Sequence, residues 1–207
     1  MGIIKYFLNQ TRKPEGILGA LMIRGMNYGH APLADWGLSK LPVIEPQKAV
    51  DLGCGGGRNV AALLKQYPQA VVDGLDYSPL SVEKAIVYNA RAIARNRCTI
   101  SVGDVSDLHI TANTYDLATA FETIYFWPKL EKCFTNVHHI LKEKACFLVV
   151  CESDGMDGIG ERYEKLINGM KVYKASEIES ALKAAGFKDV KSIHHEKHPW
   201  LAILAKK

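Results

Sequence analysis

The chain has 207 residues, 48% apolar and 23% charged, with a formal net charge of +4. That length suits one domain with a full core and a small appendage, and positive charge scattered without runs gives no argument for a nucleic-acid partner. No apolar run reaches the roughly 18 residues of a membrane span and the N-terminus is too weakly apolar for a secretory signal, so a cytoplasmic protein with no membrane partner is expected.

Residues 1–45 stand apart from the rest of the chain. Ile3, Ile4, Phe7 and Leu8 sit at helical spacing, a break falls at Lys13-Pro14-Glu15-Gly16, and Ile17, Leu18, Leu21, Met22 and Met26 form a second stripe. Between Gly25 and Leu41 no period is visible, although Tyr28, His30 and Trp36 lie there. Two short helices and an irregular segment are predicted, as a cap or lid over the remainder.

Residues 46–207 alternate. Strands are predicted at 48–53, 70–78, 98–104, 114–121 and 145–153. Helices are predicted over 58–67, from Ser78-Pro79 to about Ala94, over 129–142 and over 159–170. A further helix opens on Ser176 with Glu179 as a capping box and ends at Gly186. Segments 188–196 and 200–207 are joined by a link so short that it suits an antiparallel hairpin. This order implies an α/β fold: a doubly wound, mostly parallel, seven-stranded Rossmann-like sheet with a C-terminal antiparallel hairpin and an N-terminal helical cap. Ligands of such sheets bind beyond the carboxyl ends of the strands.

The first strand ends in Asp51-x-Gly53-x-Gly55-x-Gly57. The spacing fails the dinucleotide pattern G-x-G-x-x-G, which argues against a hydride-transfer enzyme, and no Gly-Lys-Ser/Thr follows for a phosphate loop. A carboxylate at Asp51 would repel a pyrophosphate and suits a cationic ligand, an ammonium or a sulfonium. Asp76 ends the second strand, placed to take the hydroxyls of a ribose. Asp104 ends the third, where a carboxylate can accept from an adenine amine. Three acids at consecutive strand ends are hard to dismiss as turn residues. The five cysteines form no Cys-x-x-Cys pair and sit mostly in apolar segments, so buried thiols are expected rather than disulfides or a metal site. Cys54 fits the loop as a small residue.

The series AVDLGCGGGRN, VVDGLDYSP, SVGDVSDL and YDLATAFETIYF resembles the ordered motifs of class I S-adenosylmethionine-dependent methyltransferases, across residues 47–207. The hairpin is similar to that family's seventh strand, inserted beside the fifth. The resemblance implies S-adenosylmethionine as cofactor. Asp51, Gly53, Gly55 and Gly57 would line its methionine part, Asp76 would bind the ribose, and Tyr77 would lie along the adenine. Asp104 and Val105 would hold the adenine edge, and Phe121 would touch the cofactor near the reacting methyl. The N-terminal segment resembles the cap helices of small-molecule members, with Tyr28 reaching the cofactor.

The acceptor should approach at FETIYFWP, residues 121–128. The Asp/Asn-Pro-Pro-aromatic motif of amino-methylating enzymes and the Pro-Cys nucleophile of cytosine C5 enzymes are both missing there, which favours a small molecule over a polymer. His30, Glu122 and Tyr125 are the candidate catalytic residues, with Trp36 and Trp127 as further candidate contacts. No metal is expected: His194, His195 and His198 cluster, but neighbours on a strand point to opposite faces. An RNA methyltransferase, supported only by the basic charge, and a non-catalytic cofactor-binding regulator are the alternatives. The acceptor atom and the oligomeric state are not legible.

Overall fold

A computed structural model describes residues 8–156 and 158–207. The expected helix on Ile3, Ile4 and Phe7 lies outside the described residues. Along the chain come α1 (Gly16–Gly29), α2 (Ala31–Leu38), β1 (Lys48–Leu52), α3 (Arg58–Gln66) and β2 (Val71–Asp76). Next are α4 (Pro79–Tyr88), α5 (Ala90–Ile93), β3 (Cys98–Val102), β4 (Tyr115–Phe121) and α6 (Leu130–Ile140). The last are β5 (Leu141–Cys151), α7 (Ile159–Leu166), α8 (Ala175–Ala184), β6 (Lys188–His194) and β7 (Leu201–Lys206).

The strands form one seven-stranded sheet in the order β3-β2-β1-β4-β5-β7-β6. The first five pair in parallel, and β7 runs antiparallel to both β5 and β6. The expected fold class is therefore the observed one, with β7 seated beside β5. β5 starts four residues earlier than its apolar run, because Leu141 pairs with Tyr115 before an irregular register shift.

Parity along β5 sorts the core. Phe147, Val149 and Cys151 pack on one face with Phe134 and Ile140 of α6. Cys146, Leu148 and Val150 pack on the other with Leu63 of α3 and Leu33 and Leu38 of α2. Alternate residues of a strand point to opposite faces, so a strand buried on both sides reads as a continuous apolar run. Each such side chain contributes roughly 1.5–3 kcal/mol by leaving water.

Two local expectations are corrected. The segment from Gly25 to Leu41 is mostly helical, not irregular: α1 runs through Gly29 and α2 begins at Ala31. Its glycines and Pro32 hide the period, but Leu33, Ala34 and Leu38 are buried against the sheet and packing overrides their neighbours' low propensity. In the same packing, α2 shares a cluster with β4 and β5. At α8, the capping box is not Ser176 with Glu179. Glu177 Oε2 accepts the Lys174 N–H at 2.9 Å, and Glu179 instead accepts from the Ser192 hydroxyl at 2.5 Å.

Candidate active site

The carboxyl ends of β1, β2, β4 and β5 converge on a cavity of about 300 Å³. The glycine loop forms its floor. The Gly53 and Cys54 N–H groups both donate to the Leu75 carbonyl, at 2.7 and 3.0 Å, which ties the loop to β2. Gly53 has φ +78, and a Cβ there would stand 2.1 Å from Thr123 Oγ1, so no side chain fits between the loop and the segment after β4. Gly55, at φ +51, would meet nothing within 4 Å; its missing side chain leaves the floor open to the cavity.

Asp51 lies beneath this floor, not in the cavity wall. It is buried opposite Thr119 in the register of β1 and β4. Oδ1 accepts from the Thr119 hydroxyl at 2.7 Å, while Oδ2 is buried without a partner among the described residues. Burial pushes the carboxyl up to about 7, the Thr119 bond opposing and the nearby Asp76 charge adding to the rise. Asp76, at the end of β2, does line the cavity. Its Oδ2 accepts from Gly55 N–H at 2.8 Å and its Oδ1 from Ser78 N–H at 2.9 Å, so the carboxylate clamps the glycine loop to the start of α4. Burial raises its pKa against those two bonds.

The opposite wall carries the acids and aromatics that come after β4 and β5. Phe121, Glu122, Tyr125 and Glu152 all line the cavity. Glu122 holds a left-handed backbone, φ 57. Its Oε1 accepts from the Tyr125 hydroxyl at 3.1 Å and from the Glu152 N–H. Burial, and then the charge of Glu152, push Glu122 up to about 8. His30 sits at the joint between α1 and α2, with Nε2 3.8 Å from Glu152 Oε2.

The roof comes from the N-terminal elements. Met26, Asn27 and His30 of this segment line the cavity, and the Asn27 amide donates to the Gly56 carbonyl at 3.4 Å. Tyr77 lines the cavity too, its hydroxyl donating to the Arg12 carbonyl.

Of the residues singled out from sequence, Gly53, Gly55, Asp76, Tyr77, Phe121, Glu122, Tyr125 and His30 meet in this one cavity. Tyr28 does not. It is 72% exposed, because helical geometry turns it away from the face that carries Ile23 and Asn27. Asp104 and Val105 are not brought there either. Asp104 borders a separate hollow with Gly103 and Asp107, and its Oδ1 accepts from Ser106 N–H at 2.7 Å. Val105 is buried, and its carbonyl accepts from the Asn136 amide at 2.9 Å. Gly57 caps α3 behind the floor. Trp36 packs against Trp200 and His195 outside the cavity, and Trp127 is buried with its indole N–H on Thr123 Oγ1. Sequence reasoning misses Glu152, Asn27 and Arg12. Glu152 has a signal, an acid directly after a buried strand.

Residues 49–144 match the family described as methyltransferase domain. Those residues, just under half of the chain, are similar to a methyltransferase domain. A curated relative, sterol methyltransferase-like 2 of Botryococcus braunii, is 30% identical over 155 residues, 68% of this chain and 38% of that one. The chain spans about two-fifths of the length of such curated relatives. Among solved structures, a chain of the Haloferax volcanii complex between the Trm112 methyltransferase activator and a methyltransferase superposes with TM-score 0.80. It is 20% identical and covers 99% of this chain and 97% of its own. A SAM-dependent methyltransferase of Aquifex aeolicus superposes with TM-score 0.75 at 17% identity, covering 89% of this chain and 96% of its own. The fold is that of the class I S-adenosylmethionine-dependent methyltransferases. Within this fold, the glycine loop and the acids of β1 and β2 supply the floor of the cavity, and the segment after β4 supplies its far wall.

Proposed function

We propose that the protein transfers a methyl group from S-adenosylmethionine to a small-molecule acceptor bound in the 300 Å³ cavity. The observation that carries this reading is the buried Asp51 Oδ2, a carboxylate oxygen left without a partner beneath an open glycine floor. An orphaned buried carboxylate is costly, and a cationic ligand above it relieves the cost. A methyl donor with an ammonium and a sulfonium fits that donor set; a pyrophosphate does not. The methyltransferase-domain match and the sterol methyltransferase-like relative support the same reading.

When bound, the donor supplies an activated methyl group. The chain does the rest. The backbone of Gly53 and Gly55 admits the amino-acid part, and Asp76, with lone pairs left after its two backbone bonds, takes the ribose hydroxyls. Phe121 and Tyr125 exclude water from the far wall. Glu122, carried to about 8 by burial, accepts the acceptor's proton on its carboxylate. Helix α1, with Met26 and Asn27 over the cavity, closes the site as a lid. Asp104, which borders the neighbouring hollow, holds the edge of an adenine that extends into it.

The test is incubation with methyl-labelled S-adenosylmethionine and separated pools of metabolites and RNA. Label should enter a small-molecule fraction and be lost with Glu122→Gln, at roughly 10²–10⁴-fold lower rate. Label in RNA, or donor binding with no transfer to either pool, refutes this reading.

A further inference from the structure

The wall opposite the glycine loop brings together three groups that no stretch of sequence joins. His30 comes from the joint of α1 and α2, Glu122 from the end of β4 and Glu152 from the end of β5. One ligand atom from each lies within 4.8 Å of the other two. We propose that His30, Glu122 and Glu152 bind one divalent transition-metal ion, such as Zn²⁺, with an open position facing the cavity.

The donor set is one imidazole nitrogen and two carboxylate oxygens, ligand types that divalent transition-metal ions, Zn²⁺ among them, accept. Metal bonds of about 2.0–2.2 Å place ligand atoms roughly 3–4 Å apart. His30 Nε2 and Glu152 Oε2 are already at 3.8 Å, and a Glu122 ligand atom lies within 4.8 Å of both residues' ligand atoms. In the ion-loaded site Glu122 is a ligand through Oε2 and the ion itself acidifies the acceptor's hydroxyl; accepting that proton belongs to the ion-free site. Both hydrogen bonds to Glu122 among the described residues, from the Tyr125 hydroxyl and the Glu152 N–H, fall on Oε1 and orient the carboxylate, as outer partners of metal ligands do.

Two guanidinium groups, of Arg12 and Arg58, also line the cavity, but each has its own partner. Arg12 is turned to the Asn168 carbonyl at 3.2 Å, and Arg58 pairs with Asp35 at 2.5 Å. Two carboxylates therefore face each other across a gap that an ion would neutralise. The His195 and His198 rings lie elsewhere, against Trp200, His195 edge-on and His198 stacked.

An ion here would recognise an acceptor by a hydroxyl or carboxylate oxygen and hold it across the cavity from the glycine floor. That acceptor class rests on the methyltransferase reading; binding of the ion does not.

The test is calorimetric titration of the chelator-stripped, full-length protein with ZnCl₂. One ion per chain is expected, with affinity reduced at least about tenfold by His30→Ala and by Glu152→Gln, and unchanged by His195→Ala. Glu152 is an exposed side chain, so its glutamine variant should fold as the wild type does, checked by thermal melting. No bound ion, an ion that survives both substitutions, or an ion lost with His195→Ala overturns the proposal. Donor binding by the same metal-free protein is measured in parallel. Its absence, with zinc binding intact, refutes the methyltransferase reading alone.

Discussion

Asp51 is the residue at which stability and ligand binding meet. Its carboxyl is carried from 3.8 to about 7 by burial, Thr119 opposing and Asp76 adding. Between those two values the folded chain keeps a proton that the unfolded chain has released. The stabilisation is thus complete below 3.8 and is lost as pH rises through about 7. Urea unfolding midpoints should fall from about pH 5 to about pH 8, and fall less in Asp51→Asn. Saturating S-adenosylmethionine should restore part of the loss at the higher pH, because a cation above Oδ2 favours the charged carboxylate. The same substitution should weaken donor binding about tenfold, on the order of 1.4 kcal/mol. An unchanged pH profile in Asp51→Asn would place the pH dependence elsewhere, in Glu122 first, which burial carries from 4.5 to about 8.

At the scale of elements, the N-terminal region divides. Helix α1 covers the glycine loop and leaves Ile17 and Tyr28 to solvent, whereas α2 inserts Leu33 and Leu38 into the sheet's core. Gly37 permits that insertion: a Cβ there would be 2.5 Å from Val150 Cγ2. Removal of residues 1–29 should therefore weaken donor binding while the sheet still melts cooperatively. Removal of residues 1–45 should cost a further several kcal/mol, roughly 1.5–3 for each large buried side chain lost, and calorimetry of the two truncations separates the cases. The strands and their terminal acids are legible in the sequence because an apolar run closed by Gly or Asp carries its own punctuation. The joint at His30 is not, since Gly25, Gly29 and Pro32 disguise two helices held by tertiary packing. Tyr28 is misplaced for the same reason: without the helix, its outward face has no assignment. Glu152 escapes notice because the sequence offers no partner for it; His30 and Glu122 reach it only through the fold.

The whole molecule hides every one of its thiols. Cys54 lies in the glycine loop, Cys98 opens β3, Cys133 sits on α6, and Cys146 and Cys151 flank the middle of β5; all are free and buried. Burial lifts each of them, so few thiolates exist at neutral pH and reaction with an alkylating reagent must wait for local opening. The chain therefore carries a set of clocks at five depths, each reading the free energy of exposing its own neighbourhood. Mass-resolved alkylation under native conditions should label Cys98, at the sheet's edge, faster than Cys133 or Cys151. Donor binding should slow Cys54 while leaving Cys98 unchanged; an equal slowing at both would mean that the ligand stiffens the entire sheet and not the loop alone. What packing gave as a row of small apolar fillers thus becomes a way to time, position by position, how this protein breathes.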